Sequence, residues 1–281
     1  MYNKVVLIGV GLIGSSIGMN LVKKRLAREV IGVGRDPRNL REAVRRRAIH
    51  RFVGARFIPP LLANLTEKDL VILAGPVKSI IRYLKILPRR PLVTDVGSTK
   101  RSIVRAATER RIRFVGSHPI AGTERSGAEA GEIGLFQGRR CIVTPAASAR
   151  KKDLQKIRLL WKKMGSETIL MSPKTHDRLL AAVSHLPHAV AYTLVKTAAG
   201  LIPIRALERF SLGGFKDTTR IAASSPLMWR DIFLENRRPV LKAIDRYLLE
   251  LGRLRSTISD RNSQKLLRIL KNPQRIRQKI S

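Results

Sequence analysis

The feature that most constrains the fold is a glycine-rich turn near the amino terminus, G-V-G-L-I-G at residues 9–14. A short apolar run precedes the turn, an amphipathic segment follows it, and a second apolar run begins at Glu29. This order of strand, turn, helix and strand is the one that a dinucleotide-binding βαβ unit requires. Gly9 permits the tight turn, Gly11 lets the backbone approach a pyrophosphate, and Gly14 allows the helix to pack closely on the strand.

The turn therefore predicts a nucleotide site. The phosphates would lie at the N-terminus of the helix, where the backbone N–H groups and the helix dipole favour anions. Pro76, which suits the first turn of a later helix, is assigned to the same cofactor site. The residues assigned to this site from the turn itself are Gly9, Gly11, Leu12, Ile13 and Gly14.

The first 170 residues or so alternate short β-branched runs with amphipathic stretches, which is typical of βαβ units. The predicted strands are residues 4–9, 29–34, 70–74, 92–95, 113–116, 140–144 and 168–171. The predicted helices are residues 12–25, 37–47, 77–87, 99–111 and 149–164. After Pro173 only helical patterns continue. We therefore predict an α/β fold with a Rossmann-type doubly wound, mainly parallel sheet over residues 1–171, followed by an all-helical second domain over residues 172–281.

The end of the second predicted strand bears on the choice of cofactor. The position that offers an acid to the adenosine ribose of NAD is occupied by Gly34, and Arg35 and Asp36 follow it. A missing acid beside an arginine suits a 2′-phosphate, so Arg35 favours NADP. Asp36 could still serve NAD after a small loop shift, which leaves both cofactors open.

The charge of the chain is extreme: 56 Lys+Arg against 20 Asp+Glu give a formal net charge of +36. Such a field attracts polyanions, including nucleic acid. The basic residues are spread along the whole chain, however, and aromatic residues make up only 5%, so the stacking platforms of single-strand binders are not evident. We expect nucleic acid to bind only non-specifically, through charge.

Cysteine and hydropathy bear on the compartment. The single cysteine, Cys141, cannot form an intramolecular disulfide, which favours a reducing compartment such as the cytoplasm. The longest apolar stretch of the second domain, residues 186–204, contains His188, Lys196 and Pro203 and makes a poor membrane span. We expect no transmembrane helix and no membrane partner.

Two polar loops follow predicted strands: D-V-G-S-T-K at residues 95–100 and G-S-H-P-I-A-G at residues 116–122. The carboxyl ends of strands line the ligand crevice of a doubly wound sheet, so we expect the loops to converge near the nicotinamide. His118, on the second loop, can exchange a proton near neutral pH, as oxidation of an alcohol requires. Asp95 and Ser98, on the first loop, are candidates for the same site. The alternative for both residues is that they only cap the helix that follows.

The second domain adds S-H-L-P-H at residues 184–188, which places His185 and His188 on one helix face. No third ligand with metal-type spacing accompanies them, so we predict no metal site. A polar pair that recognises substrate is favoured, and a core histidine is the alternative for His185. Arg220 can offer its planar guanidinium to a carboxylate. Arg230, close to acidic residues on its own helix, is assigned to an ion pair.

Taken in order, these motifs resemble the prephenate/arogenate dehydrogenases of tyrosine biosynthesis. The resemblance runs from about residue 5 to about residue 253 and includes K-D-T-T-R-I-A and M-W-R-D-I-F in the second domain. It implies a homodimer formed by the helical domain, and an active site in the cleft between domains. It also implies oxidation of the ring C4 hydroxyl of prephenate, hydride transfer to NAD or NADP, and loss of CO₂ to give 4-hydroxyphenylpyruvate. Arogenate dehydrogenase, which forms tyrosine directly, is the alternative.

The resemblance also implies roles for single residues. His118 would accept a hydrogen bond from the C4 hydroxyl, and Ser98 would orient that group. A carboxylate-binding arginine, two acids that pair with it and two further polar residues would hold the dianionic substrate: Arg220, Glu124, Asp217, Ser184 and His188. Because this substrate is a small dianion, the positive charge also predicts electrostatic steering. In contrast to some members of that family, we expect no chorismate mutase segment before Lys4 and no appended regulatory domain.

Two other functions stay open at this point. A different dehydrogenase of the same architecture, acting on a 3-hydroxy acid or an imine, would explain the first domain. It would not explain the pair S-H-P-x-A-G and S-H-L-P-H. A basic nucleic-acid-binding protein on a dehydrogenase scaffold would explain the charge, but not the intact His118, His188 and Arg220.

Overall fold

The computed structural model describes residues 1–54, 58–123 and 125–280. Its amino-terminal part contains a five-stranded parallel sheet with the spatial order β3-β2-β1-β4-β5. The strands are β1 (Tyr2–Ile8), β2 (Ala27–Gly34), β3 (Arg51–Gly54), β4 (Leu70–Leu73) and β5 (Leu92–Asp95). Because the order of connection reverses between β1 and β4, the carboxyl ends of these two strands flank the crevice in which such sheets bind ligands.

Helices cover both faces of this sheet. They are α1 (Leu12–Lys23), α2 (Pro37–Arg45), α3 (Ile58–Ala63), α4 (Val77–Ile86) and α5 (Arg101–Glu109). In β1, Val5 and Leu7 pack into one apolar cluster with α1 and α2, whereas Val6 and Ile8 pack into another with α3, α4 and α5. A strand buried on both faces is apolar throughout, which is why V-V-L-I forms the centre of a parallel sheet.

A second, three-stranded sheet follows, with strands β6 (Val115–Pro119), β7 (Arg140–Pro145) and β8 (Glu167–Leu170) and helix α6 (Lys151–Lys163). β6 and β7 are antiparallel, and β7 and β8 are parallel. The chain entering β6 lies beside β5, because Val93 N donates to Arg113 O over 2.8 Å and Thr94 Oγ1 donates to Val115 O over 2.7 Å. This contact brings the carboxyl ends of β5 and β6 together.

From Pro173 onward the described chain is helical. The helices are α7 (Pro173–Leu180), α8 (Leu186–Leu201), α9 (Ile204–Phe210), α10 (Gly213–Thr219), α11 (Pro226–Glu235), α12 (Arg237–Ser259) and α13 (Ser263–Gln278). A π-helical turn, Ala181–His185, joins α7 to α8, and a 3₁₀ turn, Arg220–Ala223, follows α10. Helix α7 packs against α5 and β7, which joins the helical part to the sheet part.

The predicted fold class, a doubly wound parallel sheet followed by helices, is confirmed. The strand over residues 92–95 and the helix starts at Leu12 and Pro37 agree with the structure. β3 and α3 are absent from the prediction because both are short, and β3 is an edge strand whose first two residues are exposed.

The structure corrects the placement of His118. The sequence put this residue on a loop after a strand over residues 113–116, but it lies within β6, paired with Ile142 of β7. The antiparallel partner strand, distant in sequence, extends β6 through the polar residues that the local pattern assigned to a loop.

In the described part of the chain, no single helix is long and apolar enough to cross a membrane. The segments 173–201 and 204–210 meet the length and composition test only as a pair, and they are bent by 116° at their junction.

Candidate active site

The glycine turn lies at the carboxyl end of β1 and is shaped by close backbone packing. Gly9 has φ of +97°, and a Cβ there would lie 2.6 Å from the carbonyl oxygen of Ala74. A Cβ on Gly14 would overlap the Gly9 carbonyl. In contrast, a Cβ on Gly11 would meet nothing within 4 Å. The turn therefore keeps open space above Gly11, where a pyrophosphate fits.

The N-terminus of α1 also suits an anion. Gly11 is its N-cap residue, no side chain caps the helix, and the first turn contains no acidic residue. The first N–H groups of a helix have no intrahelical acceptor, so this end offers donors and a favourable dipole to phosphate. These features fit a dinucleotide. Pro76, the N-cap residue of α4, lies just after β4 at the same edge of the sheet.

At the end of β2, the Asp36 carboxylate already has a structural role. It accepts a hydrogen bond of 2.9 Å from Arg38 N and caps α2. Arg35 is exposed beside it. Gly34 packs against Leu40, whose side chain would be 3.1 Å from a Cβ at that position.

A buried ion pair joins the ends of β5 and β6. Lys100 and Asp95 are both fully buried, and Lys100 Nζ donates to Asp95 Oδ2 and, over 2.9 Å, to Ser117 O. Asp95 also accepts from Gly97 N and Ser117 N at 2.8 and 3.2 Å. Burial lowers the pKa of Lys100, and Asp95 opposes this effect. Because its polar atoms are so extensively paired, the pair fixes the loop after β5 relative to β6.

The cap of α5 comes from the helical part of the molecule. Asp177, on α7, accepts hydrogen bonds from Lys100 N at 2.7 Å and Arg101 N at 3.0 Å. Neither Asp95 nor Ser98 caps α5, so the capping alternative for these two residues is wrong. Ser98 is partly buried in the loop directly after β5. A carboxylate at a helix N-terminus is favourable for both the N–H groups and the dipole.

Asp177 begins a chain of hydrogen bonds that ends at His118. Its Oδ1 lies 2.8 Å from Nδ1 of His176, and Nε2 of His176 lies 2.9 Å from Nδ1 of His118. Asp177 and His176 are buried, whereas His118 is partly exposed within an otherwise buried strand. Sequence reasoning missed His176 and Asp177, since they belong to no motif; the only local signal was the dipeptide H-D in a predicted helix.

Burial favours the neutral form of the histidines here. Burial, followed by the nearby His176 and Lys100, holds the pKa of His118 well below its usual range. Burial also lowers the pKa of His176, although the hydrogen bond to Asp177 opposes this. Among the residues that the structure describes, the His118 ring makes one hydrogen bond, through Nδ1. Its Nε2 thus remains available to a ligand.

The π-helical turn and α8 contribute two more histidines, both in contact with the ring of Trp229. His188 stacks on Trp229 at 3.6 Å between ring centroids, and its Nδ1 donates to Ser184 O over 2.9 Å. His185 is buried edge-on to Trp229, with Nδ1 3.0 Å from Asn236 Nδ2. Burial lowers the pKa of His185 to about 4. The sequence assigned no role to Trp229, although it lies in the M-W-R-D-I-F motif.

The remaining predicted residues lie nearby or outside the described chain. Asp217 and Arg220 are exposed on α10 and the following 3₁₀ turn, both of which pack against α8. Glu124 lies outside the described residues. Arg230 pairs with Asp231 at 2.8 Å, as predicted. Within the described ranges, no group of three or more His, Cys, Asp or Glu side chains is arranged to hold a metal ion.

A dinucleotide-binding turn and a neutral histidine beside the carboxyl end of β5 define a class, the dinucleotide-dependent dehydrogenases. Two family models match the chain: the nucleotide-binding domain of prephenate dehydrogenase over residues 17–170, and the dimerization domain of prephenate dehydrogenase over residues 172–272. The chain belongs to the prephenate dehydrogenase family and is an NAD(P)-dependent dehydrogenase.

Individual relatives agree with this assignment. The prephenate dehydrogenase of Bacillus subtilis is 33% identical, over 96% of this chain and 74% of that protein. The crystal structure of prephenate dehydrogenase from A. aeolicus, in complex with hydroxyphenyl propionate and NAD+, is 36% identical with a TM-score of 0.91, covering 100% of this chain and 99% of that chain. Synechocystis arogenate dehydrogenase is 27% identical with a TM-score of 0.79, covering 99% and 100%. The nucleic-acid alternative gains no support.

Proposed function

We propose that this enzyme oxidises prephenate at its ring C4 hydroxyl and releases the ring carboxylate as CO₂, giving 4-hydroxyphenylpyruvate. The observation that carries the proposal is His118, a neutral, partly exposed histidine with Nε2 free for a ligand, beside the dinucleotide crevice. We divide the chain into a dinucleotide-binding domain, residues 1–171, and a helical domain for substrate and dimerisation, residues 172–281. The cytoplasm is proposed because Cys141 is buried and unpaired.

In the proposed mechanism, Nε2 of His118 accepts the proton of the C4 hydroxyl, and Ser98 orients that hydroxyl. A dinucleotide held by the glycine turn would supply the hydride acceptor for C4. Loss of the proton and the hydride turns C4–OH into a carbonyl; the C–C bond to the ring carboxylate then breaks, its electron pair passes through the ring to the carbonyl oxygen, and the proton held on Nε2 of His118 returns to that oxygen to give the phenol. Aromatisation drives this step, so the protein needs to supply only a proton acceptor and groups that hold the two carboxylates.

The dianion would be held by groups from the helical domain. Arg220 offers a planar fork to one carboxylate. The buried Trp229 stacks on the ring of His188 and fixes its orientation toward the substrate that we assign to it. The full set that we assign to substrate binding is Ser184, His188, Arg220, Asp217 and Glu124, the last of which lies outside the described residues.

For the cofactor, we propose that Gly9, Gly11, Leu12, Ile13, Gly14 and Pro76 hold the dinucleotide and that NADP is preferred over NAD. The preference is supported at the end of β2: Gly34 offers no carboxylate, Asp36 caps α2, and Arg35 is exposed. An Arg35→Ala variant should weaken NADP+ binding about tenfold, or roughly 1.4 kcal/mol, and leave NAD+ binding unchanged. Calorimetric titration with each cofactor tests this; equal affinities in the wild type would contradict it.

The proposed reaction is tested by following NADPH and NADH formation separately with prephenate and with arogenate, and by identifying the product. We expect 4-hydroxyphenylpyruvate from prephenate. Tyrosine formed from arogenate at the higher kcat/KM would move the assignment to the alternative substrate. No turnover of either compound would overturn the proposed function.

A further inference from the structure

We infer that His176 and Asp177 of α7 are positioning residues that fix the tautomer of His118, leaving its Nε2 without a proton and ready to accept one. The inference rests on the proposed function of His118 as the proton acceptor. It adds two residues that no motif of the sequence identified, and both come from the helical domain, whereas His118 belongs to the sheet domain.

The direction of each hydrogen bond follows from the Asp177 end of the chain. An ionised carboxylate only accepts, so Nδ1 of His176, 2.8 Å from Asp177 Oδ1, must be the protonated nitrogen. A neutral imidazole has one N–H, so Nε2 of His176 can only accept. Nδ1 of His118, 2.9 Å away, therefore donates. The single proton of neutral His118 is then on Nδ1, and Nε2 is bare.

The opposite arrangement requires a charged His176. A doubly protonated His176 would donate to Nδ1 of His118 and leave the proton of His118 on Nε2, where it could not accept another. His176 is fully buried, and burial disfavours the imidazolium. Burial of His176 thus favours the His118 tautomer whose Nε2 carries no proton, which is the form that can accept the proton of the substrate hydroxyl.

Asp177 cannot turn away from His176 without loss. Both its oxygens are held by the first backbone amides of α5, at 2.7 and 3.0 Å. Asn236, whose side chain donates to the Asp177 carbonyl over 2.8 Å, holds the backbone from the other side. These contacts fix the carboxylate, which fixes the His176 ring, which in turn orients His118.

The tautomer can be observed directly in the full-length enzyme with bound cofactor and labelled with ¹⁵N-histidine. The chain has five histidines, and the His118 signals are assigned by their loss in His118→Asn. Long-range ¹H–¹⁵N correlation spectra distinguish a protonated ring nitrogen from a bare one. We expect His118 to be protonated at Nδ1 and bare at Nε2. A proton on Nε2 in the wild type overturns the inference, whether or not the enzyme turns over prephenate.

A pair of variants tests the positioning role. In His176→Leu no acceptor faces His118, and we expect kcat to fall about 10²-fold while KM changes less than about threefold. In His176→Gln the side-chain oxygen can still accept from Nδ1, so we expect most of kcat and the Nδ1–H signal to be retained. Thermal unfolding and cofactor titration establish that each variant is folded. Equal losses in two folded variants would show that His176 only packs. If the wild type shows the expected tautomer but turns over neither prephenate nor arogenate, the proposed function is rejected and the positioning role is not.

Discussion

The two parts of this enzyme bury their apolar residues very differently. The sheet part encloses two apolar clusters, formed by residues between Val5 and Met164, whose members are nearly inaccessible to solvent. The helical part leaves large apolar side chains of α12 half exposed in the single chain, among them Leu241, Leu248 and Leu251. These three leucines are seven and three residues apart, which places them on one face of α12, and an exposed apolar helix face favours an interaction site. The sheet part thus buries its apolar residues within itself, whereas α12 leaves apolar side chains that a partner could cover.

One partner is the sheet part, and the contact between the two includes a helix cap and an ion pair. Asp177 caps α5, and Lys78 of α4 lies 3.6 Å from Asp231 of α11. The second partner, we propose, is another copy of the helical part, in line with the family's dimerization domain. Apolar contact would then join like parts, while hydrogen bonds join unlike parts and form the catalytic site.

The largest effect is expected at the polar contact, from His118→Asn. The variant lacks the proton acceptor, so kcat should fall by about 10²–10⁴-fold, while cofactor affinity is unchanged. Initial rates of NADPH or NADH formation measure the loss. The matched control is His50→Asn, because His50 accepts a hydrogen bond from Val30 N within the sheet part. Full activity in His118→Asn would refute the catalytic assignment.

Asp177→Ala removes a cap that crosses between the two parts. We expect a loss of stability of about 2 kcal/mol, because two backbone amides and the His176 N–H lose a buried acceptor. Asp36→Ala is the control: it removes a cap within the sheet part, at the exposed start of α2, and should cost about 1 kcal/mol or less. Denaturant unfolding gives both values. Equal losses of unfolding free energy in the two variants would show that the cap between the parts contributes no more than a cap within one part.

The apolar contact is tested by a charge on α12. Leu248→Glu should raise the dimer dissociation constant at least about tenfold, because the carboxylate would have to be buried in the interface. Leu159→Glu on α6 is the matched control, since Leu159 is 53% exposed and Leu248 56%. Light scattering coupled to size exclusion, over a range of concentrations, gives the mass. A wild-type monomer, or equal dissociation in both variants, would reject the proposed interface.

The smallest effect concerns the charge shared by both parts. If the net charge of +36 steers a dianion, kcat/KM for prephenate should fall about threefold between low and high ionic strength. The value of kcat at saturating substrate is the internal control, because encounter does not limit it. A kcat/KM that does not respond to salt would show that the charge has no part in substrate capture.

The sequence was most informative where the structure is local. The glycine turn and the strand over residues 92–95 were predicted because neighbours in the chain decide them. Lys100 could not be predicted as a buried residue, since lysines are almost always exposed unless paired, and its second acceptor, Ser117, lies on another strand. His176 acts on a residue 58 positions away, and Asp177 on an amide 77 positions away. No periodicity or spacing encodes such contacts.

The position of Asp177 has a consequence for when the enzyme can react. This one carboxylate joins the two parts at α5 and, in our assignment, also sets the proton of His118. Any separation of the two parts wide enough to remove Asp177 from the α5 amides would also move His176 away from His118. An opened cleft could then exchange its ligands freely, but it would contain no oriented base. Closure of the cleft and orientation of the His118 base would then occur together, because both depend on Asp177.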